Sequence, residues 1–211
     1  MHQYFIKTPW LVKRLFSSYI WSLPPVENEV YLTFDDGPHP MITPFVLDEL
    51  KNYNALATFF CIGKNVVAYP DIYERILEEG HSVGNHTHNH LNGWKVPDEQ
   101  YLKNISEASK YIESNLFRPP YGRIKRGQAK KIPPTIAREQ VKIIMWDVLS
   151  ADFDRNISPQ QCLENVLKNV TAGSVVVFHD SEKAFPNLQY VLPIVLKHLR
   201  ERKMIFKNII L

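Results

Sequence analysis

Residues 30–38 read Val-Tyr-Leu-Thr-Phe-Asp-Asp-Gly-Pro, an apolar strand pattern that ends in two acids and a turn. Val, Leu and Phe occupy every second position from residue 30 to residue 34, which is the period of a β-strand. The Gly-Pro pair then breaks the strand, because both residues favour turns. This segment therefore predicts a strand that presents Asp35 and Asp36 at its carboxyl end.

Apolar strands of this kind recur along the chain and alternate with segments of helical spacing. Residues 55–62 and 174–178 are nearly continuous apolar runs, which is typical of strands buried on both faces of a parallel sheet. Repeated strand–helix units with no intervening linker predict a single α/β domain over residues 29–211. The predicted helices cover residues 42–53, 71–79, 97–115, a segment starting near 134, 158–170 and 188–202.

Polar side chains follow several of these strands at the point where each strand ends. In α/β barrels the carboxyl ends of the strands form the edge at which active sites are built. The sequence therefore places a candidate site at one end of the sheet. The side chains concerned are those of Asp35, Asp36, the segment 86–90, Asp147, Asp152 and His179.

The N-terminal residues 1–28 show helical spacing of apolar side chains up to a Pro-Pro pair at 24–25. We expect this segment to form a helix packed on the barrel, and a helix lying on a membrane surface is the alternative. Lys13 and Arg14 interrupt the apolar stretch, so a secretory signal is not expected. No stretch approaches the ~20 apolar residues of a transmembrane helix. A cytoplasmic location is the resulting expectation.

The composition fits one enzyme-sized globular domain. The chain has 211 residues, 45% of them hydrophobic, and a net charge of +3, which is too balanced to predict a nucleic-acid-binding protein. Cys61 and Cys162 are predicted to be buried thiols, because two cysteines in a chain of this length do not make a disulfide framework. The oligomeric state cannot be read from the sequence.

The segment 86–90, His-Thr-His-Asn-His, carries three histidines in five residues. His86 and His90 would face the same way in a helical turn, and imidazole is the commonest metal ligand in proteins. A catalytic zinc takes three protein ligands and leaves one position for water, so Asp36 is the candidate third ligand. Such a set favours one Zn²⁺ ion, while ligand type alone also admits Co²⁺, Ni²⁺, Fe²⁺ or Mn²⁺. A polar surface loop is the alternative interpretation.

The adjacent carboxylates of Asp35 and Asp36 are expected to take different roles. Neighbouring side chains on an extended chain point to opposite sides, so one carboxylate can bind a metal while the other stays free as a general base. A charged turn is the alternative, because Asp-Asp-Gly-Pro is favourable turn sequence. His179, at the end of another strand, is either a structural histidine or the acid that protonates a leaving amide nitrogen.

Five short motifs occur in order along the chain: TFDDGP at 33–38, NHTHNH at 85–90, RPPYG at 118–122, WDV with a later DF at 146–153, and VVVFH at 175–179. Together they resemble the motifs of the polysaccharide deacetylase family, the NodB-homology domain of carbohydrate esterase family four. The resemblance spans residues 30 to 179. It implies a distorted (β/α) barrel, expected with seven strands. It also implies a hydrolase that removes the N-acetyl group from an acetamido sugar in an oligo- or polysaccharide.

The resemblance implies which residues carry the reaction. The metal ligands are Asp36, His86 and His90, the set that the residue types also predict. The implied catalytic residues are the general base Asp35, its partner Arg118, the general acid His179 and the carboxylate Asp152 that orients this acid.

The resemblance further implies three substrate contacts. The backbone N–H of Tyr121 would help to hold the oxyanion, and Val177 would line the pocket for the acetyl methyl group. Phe153 stands where many members have Trp and still offers a flat apolar wall to a sugar, while Leu149 stands where many members have an acid. His88 matches no required position and is expected to face solvent or to lie behind the ligands.

Residues 123–131 carry five basic residues and no acid. We expect a solvated basic face, and a groove rim that favours an anionic glycan is the alternative.

Three other functions fit part of the pattern. A non-catalytic carbohydrate-binding relative would keep the fold but would not need Asp35 or His179. A metal-dependent deacylase of a non-sugar amide would use the same metal ligands. A glycosidase would use two carboxylates such as Asp35 and Asp152, but it would leave the histidine segment unexplained.

Overall fold

The computed structural model describes residues 4–211, so the first three residues of the predicted 1–28 segment lie outside it. Eight strands form one sheet, in which the strands lie side by side in the order 142–143, 116–117, 82–85, 57–61, 29–35, 175–179 and 148–149, with 205–206 paired to 29–35 off this path. Every strand pair in this sheet is parallel. The strands are β1 Glu29–Asp35, β2 Ala57–Cys61, β3 Ser82–Asn85, β4 Leu116–Phe117, β5 Lys142–Ile143, β6 Val148–Leu149, β7 Val175–His179 and β8 Ile205–Phe206.

Helices connect these strands and cover the sheet, as expected for parallel strands. Seven strands lie on the main path, which curls into an open half-barrel, and the predicted seven-stranded α/β barrel type is confirmed. The helices are α1 Trp10–Leu15, α2 Ile42–Asn52, α3 Gly63–Ala68, α4 Pro70–Glu78, α5 Asp98–Ala108, α6 Arg126–Thr135, α7 Pro159–Leu167 and α8 Phe185–Glu201.

The main core lies between the sheet and the helices that flank β1. Phe34 on β1 stacks between Phe59 on β2 and Phe178 on β7, with ring centroids 5.1 and 5.8 Å apart. All three side chains are buried. Phe34 and Phe178 each stand one residue before the last residue of their strand. Their packing therefore fixes the level at which Asp35 and His179 leave the sheet.

The N-terminal segment lies across the open side of the half-barrel. Its backbone bonds to β6 through Leu149 N–H and Ile6 O (2.8 Å), and Ile20 N–H bonds to Ile143 O of β5 (2.9 Å). The helix between these contacts ends at Leu15 and not near Pro24, because the chain must return to extended backbone to pair with β5. No side chain of α1 is buried.

Three other helices differ from the predicted pattern. The helix predicted over residues 97–115 ends at Ala108, because residues 109–111 form a turn that leads toward β4. The helix expected to start near Pro134 ends there, since α6 begins at Arg126, where Gln128 Oε1 accepts a hydrogen bond from Lys125 N–H. The short helix α3 was not predicted. Cys61 and Cys162 are buried free thiols, as predicted. Among residues 4–211, no helix is both long and apolar enough to cross a membrane.

Candidate active site and metal centre

Parallel register brings the predicted site residues to one edge of the sheet. Asp35 on β1 pairs with His179 on β7, so their side chains leave neighbouring strands at the same level. Asn85, the last residue of β3, pairs with Cys61 on β2 and leads directly into the histidine segment. The sequence therefore predicted correctly that the ends of β1, β3 and β7 meet. It was wrong for Asp147, which precedes β6 and accepts a hydrogen bond from Ser174 Oγ (2.6 Å) at the start of β7, the opposite edge of the sheet.

The two adjacent carboxylates both approach His86. Asp35 Oδ2 lies 4.0 Å and Asp36 Oδ1 3.8 Å from His86 Nε2. An extended chain would have sent the two side chains to opposite sides. The structure differs because β1 ends at Asp35 and Asp36 takes a left-handed backbone conformation with φ of 83°.

The histidine segment 86–90 is an irregular loop and not a helical turn. Thr87 and His90 have positive φ values of 64° and 56°. Non-glycine residues in this region cost about 1–3 kcal/mol each and persist where surrounding contacts fix them. Here Asn85 Oδ1 accepts from Thr87 N–H (2.8 Å), and Asn104 Oδ1 accepts from the next two backbone N–H groups (3.0 and 2.9 Å). Asn104 lies in α5, outside every motif, and sequence reasoning missed it.

Asp36, His86 and His90 form a three-residue group that could hold a metal ion. Their ligand atoms all lie within 4.8 Å of one another, and Asp36 Oδ1 is 3.1 Å from His90 Nε2. Two ligands about 2.0–2.1 Å from one tetrahedral zinc ion are about 3.3 Å apart, so these separations fit. Asp36 Oδ1 is also buried without a hydrogen bond, a condition that a bound cation would relieve.

The protonation state of His86 suits a metal ligand. Its Nδ1 lies 2.7 Å from the carbonyl oxygen of Arg118, to which it donates when the imidazole is neutral, so the lone pair of Nε2 faces Asp36. Burial lowers the pKa of His86 to about 4, which keeps the ring neutral at pH 7. Burial raises the pKa of Asp36, but the contact with His90 and the positive charge that His179, His90 and His86 carry when protonated outweigh it and hold this pKa well below its usual range.

Arg118 fixes the other carboxylate of the pair. Its fully buried guanidinium donates to Asp35 Oδ1 (2.7 Å) and Thr33 Oγ1 (2.7 Å), and to two backbone carbonyls beyond β5 (3.1 and 2.9 Å). It also lies over the Phe60 ring at 4.0 Å. A buried guanidinium is maintained only when hydrogen bonds satisfy its donors, as they do here. One oxygen of Asp35 is thereby anchored, and the other faces His86.

His179 and Asp152 form a second polar pair beside the first. His179 Nδ1 lies 2.8 Å from Asp152 Oδ1, and the backbone N–H of His179 donates to Asp152 Oδ2 (2.7 Å). Burial lowers the pKa of the imidazole, but the charge of Asp152 and its hydrogen bond raise it to about 9. His179 therefore carries a proton at neutral pH, with Nε2 free of the carboxylate that orients the ring.

Asp180 is a site residue that sequence reasoning missed. Its carboxylate is buried and accepts from Gly37 N–H (3.0 Å) and Thr43 Oγ1 (2.5 Å), so it fixes the turn that follows Asp36. A Cβ added to Gly37 would lie 2.0 Å from Asp180 Oδ2, which explains why only glycine fits there. Burial raises the pKa of Asp180 to about 7. The acid stands directly after His179, which was the available signal.

The three predicted substrate contacts lie around this centre. Tyr121 has a positive φ of 60°, its N–H takes part in none of the hydrogen bonds found within residues 4–211, and its ring lies 4.6 Å from His90. The Phe153 ring packs against His179 at 5.1 Å. Val177 is buried two residues before His179, in register with Leu149 on β6. His88 is half-buried near Tyr111 and lies outside the ligand group.

Comparison with known proteins places the chain among sugar deacetylases. The model of the polysaccharide deacetylase family matches residues 23–132, which is more than half of the chain. The chain belongs to the polysaccharide deacetylase family. It is 37% identical over 170 residues to a peptidoglycan-N-acetylglucosamine deacetylase of Bacillus cereus, a match that covers 78% of this chain and 60% of the relative. A chitooligosaccharide deacetylase of Azorhizobium caulinodans is 33% identical, with 73% of this chain and 74% of the relative covered.

Solved structures of family members show the same fold. The peptidoglycan N-acetylglucosamine deacetylase Bc1960, in complex with an N-hydroxybenzamide, superposes with a TM-score of 0.81 at 32% identity, over 96% of this chain and 95% of that chain. A family member described as a pseudoenzyme, in a variant with restored activity, gives 0.78 at 26% identity, over 90% of this chain and 69% of that one. The predicted family, fold and hydrolase class are confirmed.

Proposed function

We propose that this protein is a metal-dependent hydrolase that removes the acetyl group from N-acetylglucosamine residues of peptidoglycan or a chitooligosaccharide. The names of its relatives support the substrate class. The proposal rests on one observation: two hydrogen-bonded pairs of polar side chains lie beside the metal-ligand residues. Asp35 with Arg118 and His179 with Asp152 stand next to Asp36, His86 and His90.

Asp36, His86 and His90 would hold one divalent ion. When bound, such an ion polarises the amide carbonyl and lowers the pKa of water toward about 7. The residue types favour zinc.

The protein's own residues would supply the proton transfers. As the oxygen of water bonds to the acetamide carbon, Asp35 accepts the water proton, since Arg118 holds its carboxylate at the strand end. The Tyr121 N–H donates to the oxyanion that develops on the carbonyl. When the C–N bond breaks, its electron pair stays on nitrogen, and His179 donates a proton to this leaving amine. Acetate and a free amino sugar are the products.

The geometry disfavours the glycosidase alternative. Both oxygens of Asp152 are engaged with His179, so this carboxylate is not free to attack a sugar or to activate water. A non-catalytic relative would have no need for a buried Arg118 that anchors one oxygen of Asp35, nor for a histidine held protonated beside it.

Acetate release provides the test. Zinc-loaded and chelated protein would be incubated with N-acetylglucosamine oligomers, peptidoglycan fragments, simple acetamido sugars and a non-sugar acetamide. We expect acetate from the glycans with loaded protein and none after chelation. Release only from the non-sugar amide would identify a different deacylase, and no release by metal-loaded protein would contradict the proposed activity.

A further inference from the structure

A groove of about 280 Å³ begins at the Tyr121 ring and runs toward the N-terminal segment. We call it the aromatic groove. Val12 and Phe16 from the α1 region form one side, and Trp94, Ile124 and Trp146 are among the residues on the other. Its volume is close to the ~300 Å³ at which small-molecule sites begin. Because the Tyr121 ring lies 4.6 Å from that of the metal-ligand residue His90, the groove begins beside the proposed active site.

Three polar groups of the groove are engaged within the protein. The Trp94 indole N–H donates to Ile124 O (3.1 Å), and the Trp21 indole N–H donates to Phe16 O (3.1 Å). The Thr8 hydroxyl donates to the carbonyl oxygen of Trp146 (2.8 Å). A sugar ring needs hydrogen-bonding partners for its hydroxyl groups as well as a flat surface. The groove therefore presents mainly carbon to a ligand, which favours an apolar group over a further sugar.

Two arginines stand at the groove with aromatic rings beneath them. The Arg123 guanidinium lies 4.3 Å from the Trp94 ring centroid, and Arg126 lies 5.7 Å from that of Phe16. Neither has a carboxylate within 4.0 Å in the part of the chain that the structure describes. Both remain available to an anionic group at the edge of the groove, and charge-assisted hydrogen bonds are strong.

We propose that the aromatic groove binds an apolar chain carried by the substrate, so that the preferred substrate is an acetamido sugar with an apolar aglycone and an anionic group at their junction. This inference rests on the proposed deacetylation and narrows its substrates to N-acetylglucosamine glycans that carry such an apolar group. The occupant follows from three properties of the groove: a position beside the active site, an apolar lining and cationic residues at its edge. Each methylene that enters the groove should tighten binding about fourfold, the effect of about 0.8 kcal/mol per buried CH₂ group.

The test compares acetate release from methyl and octyl N-acetylglucosaminides by zinc-loaded protein, with the octyl glycoside below its micelle concentration. The octyl chain has seven more methylenes than the methyl group; with about three to four of them in the groove, at about fourfold each, we expect kcat/KM to be about 10²-fold higher for the octyl glycoside. Val12→Asp, which puts a charge in the groove, and Val12→Trp, which fills it, should both remove this preference. Leu11→Asp is the matched control, because Leu11 is exposed on the outer side of the same helix and should keep the preference.

Binding measured without turnover separates the two proposals. Quenching of tryptophan fluorescence by octyl glucoside, which has no acetyl group, should occur in the wild type and in Leu11→Asp but not in Val12→Trp. Equal kcat/KM for the methyl and octyl substrates, with acetate released from both, would overturn the groove assignment and leave deacetylation intact. Groove-dependent quenching without any acetate release would support the groove and contradict deacetylation. A third outcome is that the protein binds anionic vesicles, that Leu11→Asp abolishes this binding, and that no octyl preference is seen. That outcome would identify the surface as a membrane-docking site and overturn the inference.

Discussion

Replacing Asp152 with asparagine should lower the pKa of His179 and slow deacetylation, because Asp152 is the group that chiefly raises this pKa. Asp152 binds His179 through both of its oxygens, at 2.7 and 2.8 Å from the backbone N–H and the ring Nδ1. Asparagine has nearly the same shape and retains a hydrogen bond, but it removes the negative charge. The variant therefore isolates the electrostatic part of the contact.

The magnitude follows from the raised pKa of His179. It stands at about 9 against an ordinary value of 6.5, and Asp152 is the largest of the groups that raise it. At about 1.4 kcal/mol per pH unit, the protonated imidazole gains about 3 kcal/mol, most of it from this carboxylate. A general acid must carry its proton, so kcat/KM falls as pH rises through this pKa. We expect the alkaline limb to move from about 9 toward about 7, with an overall loss of about 10²–10⁴ in kcat.

The assay is the pH dependence of kcat/KM for acetate release between pH 5 and pH 10. Asp98→Asn is the matched control, since Asp98 lies on the surface in an exposed pair with Lys125 and should not affect the profile. An alkaline limb that stays near pH 9 in Asp152→Asn would show that His179 is not the acid, or that Asp152 does not control its proton.

Three further predictions concern other parts of the site and fold. Asp35→Asn should bind zinc as the wild type does, by elemental analysis, while kcat falls about 10²–10⁴-fold; an active, metal-loaded variant would contradict the role of general base. Gly37→Ala should lower the free energy of unfolding by about 3 kcal/mol in urea titrations, because its Cβ would displace Asp180 from its hydrogen bonds. The control Gly127→Ala, where nothing lies within 4 Å, should be neutral or stabilising. Asp147→Asn should expose the N-terminal segment to proteolysis, because Asp147 binds Lys7 and Lys13 at 2.6 and 2.5 Å. Hydrogen bonds from these lysines hold the pKa of Asp147 below its usual range, so the wild type should lose this protection only as pH falls below about 4.

The parts of the site that follow strand ends could be predicted from the sequence. Apolar runs mark the strands, parallel strands align their carboxyl ends, and Asp35 and His179 therefore had to meet at one edge. The motif order then identified the family. Residue type alone was enough to select Asp36, His86 and His90 as a ligand group, because few other combinations suit a metal.

The remaining features depend on contacts between residues that are distant in sequence. Asn104 holds the ligand loop and Asp180 holds the turn after Asp36, yet neither has a local pattern that distinguishes it from a surface polar residue. The left-handed conformation of His90 is likewise imposed by its surroundings, since its own preference is for ordinary helix or strand. The N-terminal helix was overestimated because apolar spacing does not reveal that Ile20 pairs with β5.

Zinc titration of the metal-free protein, followed by acetate release from an N-acetylglucosamine oligomer, tests the proposed metal-dependent deacetylation most directly. We predict that activity is absent without metal, rises with added zinc and saturates at one ion per chain, and that His90→Ala shows neither high-affinity binding nor activity. Acetate release by the metal-free protein, or full zinc binding and activity in His90→Ala, would contradict the assignment of Asp36, His86 and His90 as the metal centre.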